Sequence, residues 1–230
     1  WQLELGADEP VGDAPINRYE LAPTTPKVAR VPEPAAEETA GVDPVAVAEQ
    51  SVVGVTTLED LARVQAAFDL CEMKKGARNF VFADGNPKAR VMIIGEAPGR
   101  EEDLEARPFV GVAGQLLDRM FAAIGLVRGA SDPQAAFYIT NVMPWRPPSN
   151  RDPEPAEIAM MLPFLRKHVE LVAPEVIVLM GNTPCAAVLG TRGILRLRGT
   201  WATGFGRPVM PMTHPAYLLR TPAAKREAWA

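Results

Sequence analysis

Only two cysteines, Cys71 and Cys185, occur in the 230 residues, and they form no C-x-x-C pair. Two thiols cannot complete a four-thiolate metal or iron–sulfur site, and at this separation they do not read as a redox pair, so both are expected to be reduced. No run of eighteen apolar residues occurs, and no charged, apolar, small-residue order reads as a secretion signal. The expectation is a cytoplasmic chain without a membrane partner. It starts at Trp1 rather than Met and stops at Ala230 inside a helical pattern, which reads as a trimmed piece. G-x-x-x-x-G-K-[ST] and G-x-G-x-x-G are both missing, which disfavours nucleotide binding by those loops. The lack of G-x-S-x-G weakens a small-molecule α/β hydrolase reading.

What is present suits a globular chain, 47% hydrophobic and 23% charged, sized for one compact domain with an appendage. Charge divides it. Residues 1–57 hold ten carboxylates against Arg18, Lys27 and Arg30, so the rest of the chain carries three net positive charges. The lead is also rich in proline (Pro10, Pro15, Pro23, Pro26, Pro32, Pro34, Pro44) and lacks the apolar periodicity that offsets ordering entropy. Residues 1–56 are therefore read as an extended arm, either a linker or a segment that docks through Trp1, Leu3, Leu5, Ile16, Tyr19 and Leu21.

From Thr57 onward, helix and strand patterns alternate. Thr57 and Asp60 resemble a capping box, and Leu58, Leu61, Val64, Phe68 and Cys71 fall at helical spacing, which predicts a helix over 58–72. Short apolar runs at 91–95, 137–141 and 176–180 read as buried parallel strands. Helices are expected over 112–125, along the face Ile158 to Val172, over 183–189, and from Thr221-Pro222. Leu195 to Trp201 and Pro208 to Thr213 read as two further strands. This predicts an α/β fold, a three-layer α/β/α body over 57–230 around a central, mostly parallel sheet. Such sheets bind ligands beyond their strand C-termini, so loops 95–110, 141–155 and 213–220 should converge.

Those loops hold the unusual residues. Gly95-Glu-Ala-Pro-Gly99 can turn sharply off its strand and point N–H groups at an anion. Asn141, at a strand end, carries a donor beside an acceptor and suits a nucleobase edge. His214, between a strand and Pro215, is held rigidly, whereas His168 lies on the apolar side of a helix and reads as structural.

With Gly95–Gly99, Pro108–Leu117, Thr140–Arg151 and His214–Arg220 in this order and spacing, the sequence resembles a family 4 uracil-DNA glycosylase over about residues 57–230. The resemblance implies release of uracil from single- or double-stranded DNA by a monomeric, monofunctional hydrolase that leaves an abasic site. A non-catalytic uracil- or abasic-DNA-binding protein is the alternative. Family members usually hold an iron–sulfur cluster through four cysteines, and the corresponding positions here are Phe68, Cys71, Trp145 and Met161. No cofactor or metal is therefore expected. Ala106 stands where the family commonly has glycine.

The chemistry assigns roles. A base in a duplex must be flipped out before its glycosidic bond is reachable. Phe109 can stack on the extruded ring, and Asn141 can accept from uracil N3–H and donate to O4, a pattern that cytosine reverses. Bond breaking builds positive charge on the sugar and negative charge on the base. His214 and backbone N–H groups near Gly95, Glu96 and Ala97 can stabilise the latter. Glu96 is the nearest carboxylate to orient water or the sugar cation. Leu218 and Leu219 are expected on a loop, filling the vacated stack. Arg100, Arg107, Arg146, Arg151 and Arg220, with Arg196 and Arg198 on one strand face, form an expected phosphate-tracking rim. No lysine lies in the four motifs, which disfavours a Schiff-base lyase.

Overall fold

The computed structural model describes residues 42–229. The expected docking of the arm through Trp1 to Leu21 lies outside the described residues. Six strands form one sheet in the order β1-β3-β2-β4-β6-β5: β1 Ala83–Gly85, β2 Val91–Gly95, β3 Phe137–Asn141, β4 Val176–Met180, β5 Ala202–Gly204 and β6 Arg207–Met212. The four central strands run parallel, and the short edge strands β1 and β5 pair antiparallel to β3 and β6.

Side-chain alternation sends each central strand to two cores. Met92, Ile94, Tyr138, Ile177 and Leu179 face one core, while Ile93, Phe137, Ile139, Val178 and Met180 face the other. Ten helices flank the sheet among the described residues: α1 Pro44–Ser51, α2 Leu58–Ala67, α3 Met73–Gly76, α4 Arg100–Glu105, α5 Val112–Ala122, α6 Pro155–Val172, α7 Asn182–Leu189, α8 Ile194–Leu197, α9 Pro215–Arg220 and α10 Lys225–Trp229. The first core takes Ile158, Met161, Phe164, Leu165, Val169 and Val172 from α6 and Cys185 from α7. Leu117 and Phe121 of α5 close the second. The result is the expected three layers around a mostly parallel sheet. No helix among the described residues is long and apolar enough to cross a membrane.

Three local expectations are corrected. The helix begun by Thr57, whose Oγ1 accepts from the Asp60 N–H at 3.1 Å, ends at Ala67 rather than residue 72. Phe68 leaves it extended and sets its ring edge-on to Phe164 at 5.4 Å, so core packing overrides the helical spacing. Helix α1 lies inside the stretch read as arm, where Asp43 caps it and Ala48 is fully buried as the helix packs on α6. The body therefore begins ahead of residue 57. Finally, 195–201 is no strand. The Asn182 carboxamide accepts from the N–H groups of Gly193 (3.0 Å) and Ile194 (2.9 Å), and so starts the turn of α8. Arg196 and Arg198 thus share no strand face.

Candidate active site

Parallel pairing aligns the C-terminal ends of the central strands, with Gly95 beside Asn141 and Met180 beside Met212. Beyond them opens a cavity of about 760 Å³ whose walls include Glu96, Ala97, Phe109, Gly181, Thr213 and His214. All three expected loops contribute to it.

Gly95 is the pivot. A Cβ there would overlap both the Phe109 ring and Asn141 Oδ1, so only glycine lets those two side chains close over the strand end. Phe109 in turn lies beside His214, with ring centroids 5.4 Å apart and planes 30° apart. Phe109, Asn141 and His214 therefore gather at one place. Asn141 is only 6% exposed, and its Oδ1 is buried without a partner among the described residues, as is Thr213 Oγ1. Such orphaned acceptors are uncommon in native interiors and require a partner, either a bound water or a ligand donor.

His214 caps α9 through its own ring, since Nδ1 accepts the Ala216 N–H at 3.1 Å. That contact puts the imidazole proton on Nε2, where it is a donor. Burial, helped by the charge of Arg220, lowers its pKa to about 4, so the ring is neutral at pH 7. Glu96 accepts a 2.5 Å hydrogen bond from Thr183 Oγ1 at the start of α7. Burial raises its pKa, with the Thr183 bond pulling the other way.

Phe109 sits in the left-handed region at φ 54°, a conformation of order 1–3 kcal/mol unfavourable for a non-glycine residue. Two groups that the sequence reading missed hold it there. Arg128 donates to the carbonyls of Pro108 (2.7 Å) and Phe109 (2.9 Å) while paired with Asp118 at 2.8 Å and Asp84 at 3.3 Å. Glu102 accepts from Val110 N–H (3.0 Å) and Gly111 N–H (2.9 Å), and its other oxygen accepts from Gly99 N–H at 3.0 Å. One carboxylate thus ties the two loops together. Gly114 completes the clamp, since a Cβ there would overlap the Phe109 carbonyl. The glycines and the capping-box position of Glu102, three residues after Gly99, carried a sequence signal, whereas Arg128 and the reach of Glu102 to Val110 and Gly111 depend on contacts that no local pattern encodes.

The other expected site residues divide. Arg151 and Arg220 line the cavity, whereas Arg100, Arg107 and Arg146 stand outside its wall. Arg151 is committed to a forked ion pair with Glu157 at 2.6 and 2.8 Å, Arg107 pairs with Glu105 at 3.2 Å, and Arg146 donates to Asn150 at 2.8 Å. Leu218 is corrected: it sits on helix α9 and is 1% exposed, so it cannot be a free wedge, while Leu219 is 36% exposed. Pro215 starts α9 immediately, and the helical phase turns Leu218 inward.

The sequence profile of the uracil DNA glycosylase superfamily matches residues 82–230. The chain belongs to that superfamily. It is similar to the type-4 uracil-DNA glycosylase of Archaeoglobus fulgidus, 37% identical over 182 residues that cover 74% of this chain and 87% of that protein. The enzyme of the same description from Saccharolobus solfataricus is 38% identical over 68% of this chain and 74% of its own. That from Thermotoga maritima is 38% identical over 65% and 77%.

The iron–sulfur cluster implied by the family 4 resemblance does not fit the residues here. Phe68, Cys71, Trp145 and Met161 are all buried in one apolar cluster, and burial raises the Cys71 pKa away from the thiolate form that ligation needs. Among the described residues no three His, Cys, Asp or Glu side chains gather as metal ligands.

Proposed function

We propose that this chain is a monofunctional uracil-DNA glycosylase, a cytoplasmic monomer that hydrolyses the N-glycosidic bond of uracil flipped out of DNA and leaves an abasic site. The observation that carries this reading is the orphaned Asn141 Oδ1, held against Phe109 over Gly95, with the His214 ring alongside. Uracil offers the missing donor in its N3–H, and its O4 takes the carboxamide N–H. Cytosine presents an acceptor at N3 and a donor at C4, which leaves the buried carboxamide mispaired.

Phe109 supplies a stacking face for the extruded ring. As the glycosidic bond lengthens, electron density moves onto the uracil carbonyls, and the neutral His214 meets it with Nε2–H rather than with a transferable charge. Glu96, aimed by Thr183, orients the attacking water or steadies the sugar cation. The catalytic body is the segment from residue 42 onward, with DNA as its partner.

Incubation with a uracil-containing oligonucleotide followed by alkali tests this. Strand scission at the uracil is expected from the wild type and not from Asn141→Ala. A mobility shift without scission would instead identify the non-catalytic DNA binder.

A further inference from the structure

Of the two orphaned buried atoms, Asn141 Oδ1 meets the base in the reading above, and Thr213 Oγ1 is left without a role. Thr213 directly follows β6, lines the cavity and is 3% exposed. Strand register names its neighbours. Ile94 lies beside Leu179, and Met180 beside Met212. Both ladders run one residue further, since the Met143 N–H donates to the Glu96 carbonyl and the Gly181 N–H to the Met212 carbonyl, each at 2.9 Å. Glu96, Gly181 and Thr213 therefore form one row across three adjacent strand ends, and all three line the cavity.

The pleat sets that row on one side of the sheet. Ile94, Leu179 and Val209 belong to the first core, so Glu96, Gly181 and Thr213, two or four places on, share their phase. Asn141 is in phase with Phe137 and Ile139 of the second core, the cluster that also holds Phe109. The base-holding groups and the Glu96 row thus lie on opposite faces of the strand ends. Gly181 has no side chain, which leaves a gap between Glu96 and Thr213. Their Cα atoms stand two strand spacings apart, about 9–10 Å, and the two side chains narrow this to the scale of one water molecule. Thr183 occupies Glu96 Oε2 and leaves Oε1 for a further donor.

Resting on the glycosylase reading above, we propose that Thr213 is a catalytic residue that holds, together with Glu96, the water that attacks the sugar. The two protons of that water point at Glu96 Oε1 and Thr213 Oγ1, which aims an oxygen lone pair at C1′ from the side opposite the departing base. The C1′–O bond forms as the C1′–N1 bond breaks, and the bonding pair leaves on uracil N1. One water proton passes to Glu96 and on to solvent, from which the uracil anion takes its own.

Uracil release by Thr213→Val, Thr213→Ser and Glu96→Gln, measured on uracil-containing oligonucleotides, tests the assignment. Thr213→Val keeps the shape and removes the hydroxyl. Its kcat is expected to fall about tenfold, the worth of one hydrogen bond, with KM unchanged because the base is held on the other face. Thr213→Ser should recover most of that rate. Since Oγ1 has no partner inside the protein, Thr213→Val should leave the thermal midpoint in place or raise it, whereas a structural hydroxyl would lower it on removal. Two groups that share one water do not act independently, so adding Thr213→Val to Glu96→Gln should cost less than about twofold. An unchanged kcat in Thr213→Val would overturn the assignment, as would a raised KM alone, a lowered midpoint, no recovery with serine, or the full loss in both backgrounds. A wild type that releases no uracil would remove the glycosylase reading itself, and the water site with it.

Discussion

His214 shows how much one side chain's surroundings decide. Its Nδ1 is used by the Ala216 N–H, and burial holds its pKa to about 4, so in the proposed mechanism it acts as a neutral donor through Nε2. Removal of such a donor to a developing oxyanion lowers rates by about 10²–10³-fold, and His214→Ala is expected to do so at pH 7 in single-turnover uracil release. In the same proposed mechanism Glu96 sets the acid limb. Its pKa lies above the ordinary carboxylate value because it is buried, so the rate should rise with pH through that ionisation, and His214 charges only below about 4. Glu96→Gln should flatten the limb, and an unaltered profile would assign it to another group. Arg128 is the residue the sequence hid. Arg128→Gln leaves the Pro108 and Phe109 carbonyls short of donors, which typically costs about 1–3 kcal/mol. A lower urea midpoint together with a raised KM for uracil DNA is the expected pair, since the freed Phe109 loses its stacking pose.

At the scale of elements, backbone handedness and phase overrule sequence pattern in specific places. Ala106 ends α4 at φ 55°, the left-handed region where the family commonly has glycine. Ala106→Gly relieves that strain against a more flexible unfolded chain, and a net gain of about 0.5–1 kcal/mol in thermal or urea unfolding is expected. The motif of Leu218 resembles a loop in sequence, but Pro215 at the first helical position starts a turn that carries Leu218 inward. The strand read over 195–201 failed for a related reason, since a distant carboxamide, Asn182, starts a helix there. Packing also replaces ligation in the first core. Because Phe68, Trp145 and Met161 are buried there with Cys71, the purified protein should be colourless, and a strong iron chelator should leave its unfolding midpoint where it was. A visible absorption band that bleached on chelation would contradict this.

Across the whole molecule, buried His168 and half-buried His214 make stability depend on pH. Burial lowers His168 to about 3 and His214 to about 4, while unfolded histidine titrates near 6.5. Between pH 6.5 and about 4 the unfolded chain binds protons that the folded chain refuses, so stability falls as pH falls, by about 1.4 kcal/mol per unit for each histidine. Glu96, raised by burial, works in the opposite sense just above its ordinary value and offsets part of the slope at the acid end. Urea midpoints from pH 7 to 5 should therefore drop steeply, and His214→Gln should remove about half of the slope. What the chain alone made legible was the layered fold and that Phe109, Asn141 and His214 belong to loops that converge. Buried strands and helix faces repeat locally, and glycine-marked turns keep fixed spacing, so both are legible along the chain. Only the tertiary structure decided which leucine meets solvent, that Arg128 and Glu102 clamp Phe109, and that Thr183 aims Glu96. Those contacts join residues between 8 and 87 positions apart, brought together only when the chain packs, and no local pattern can encode a partner that packing alone supplies.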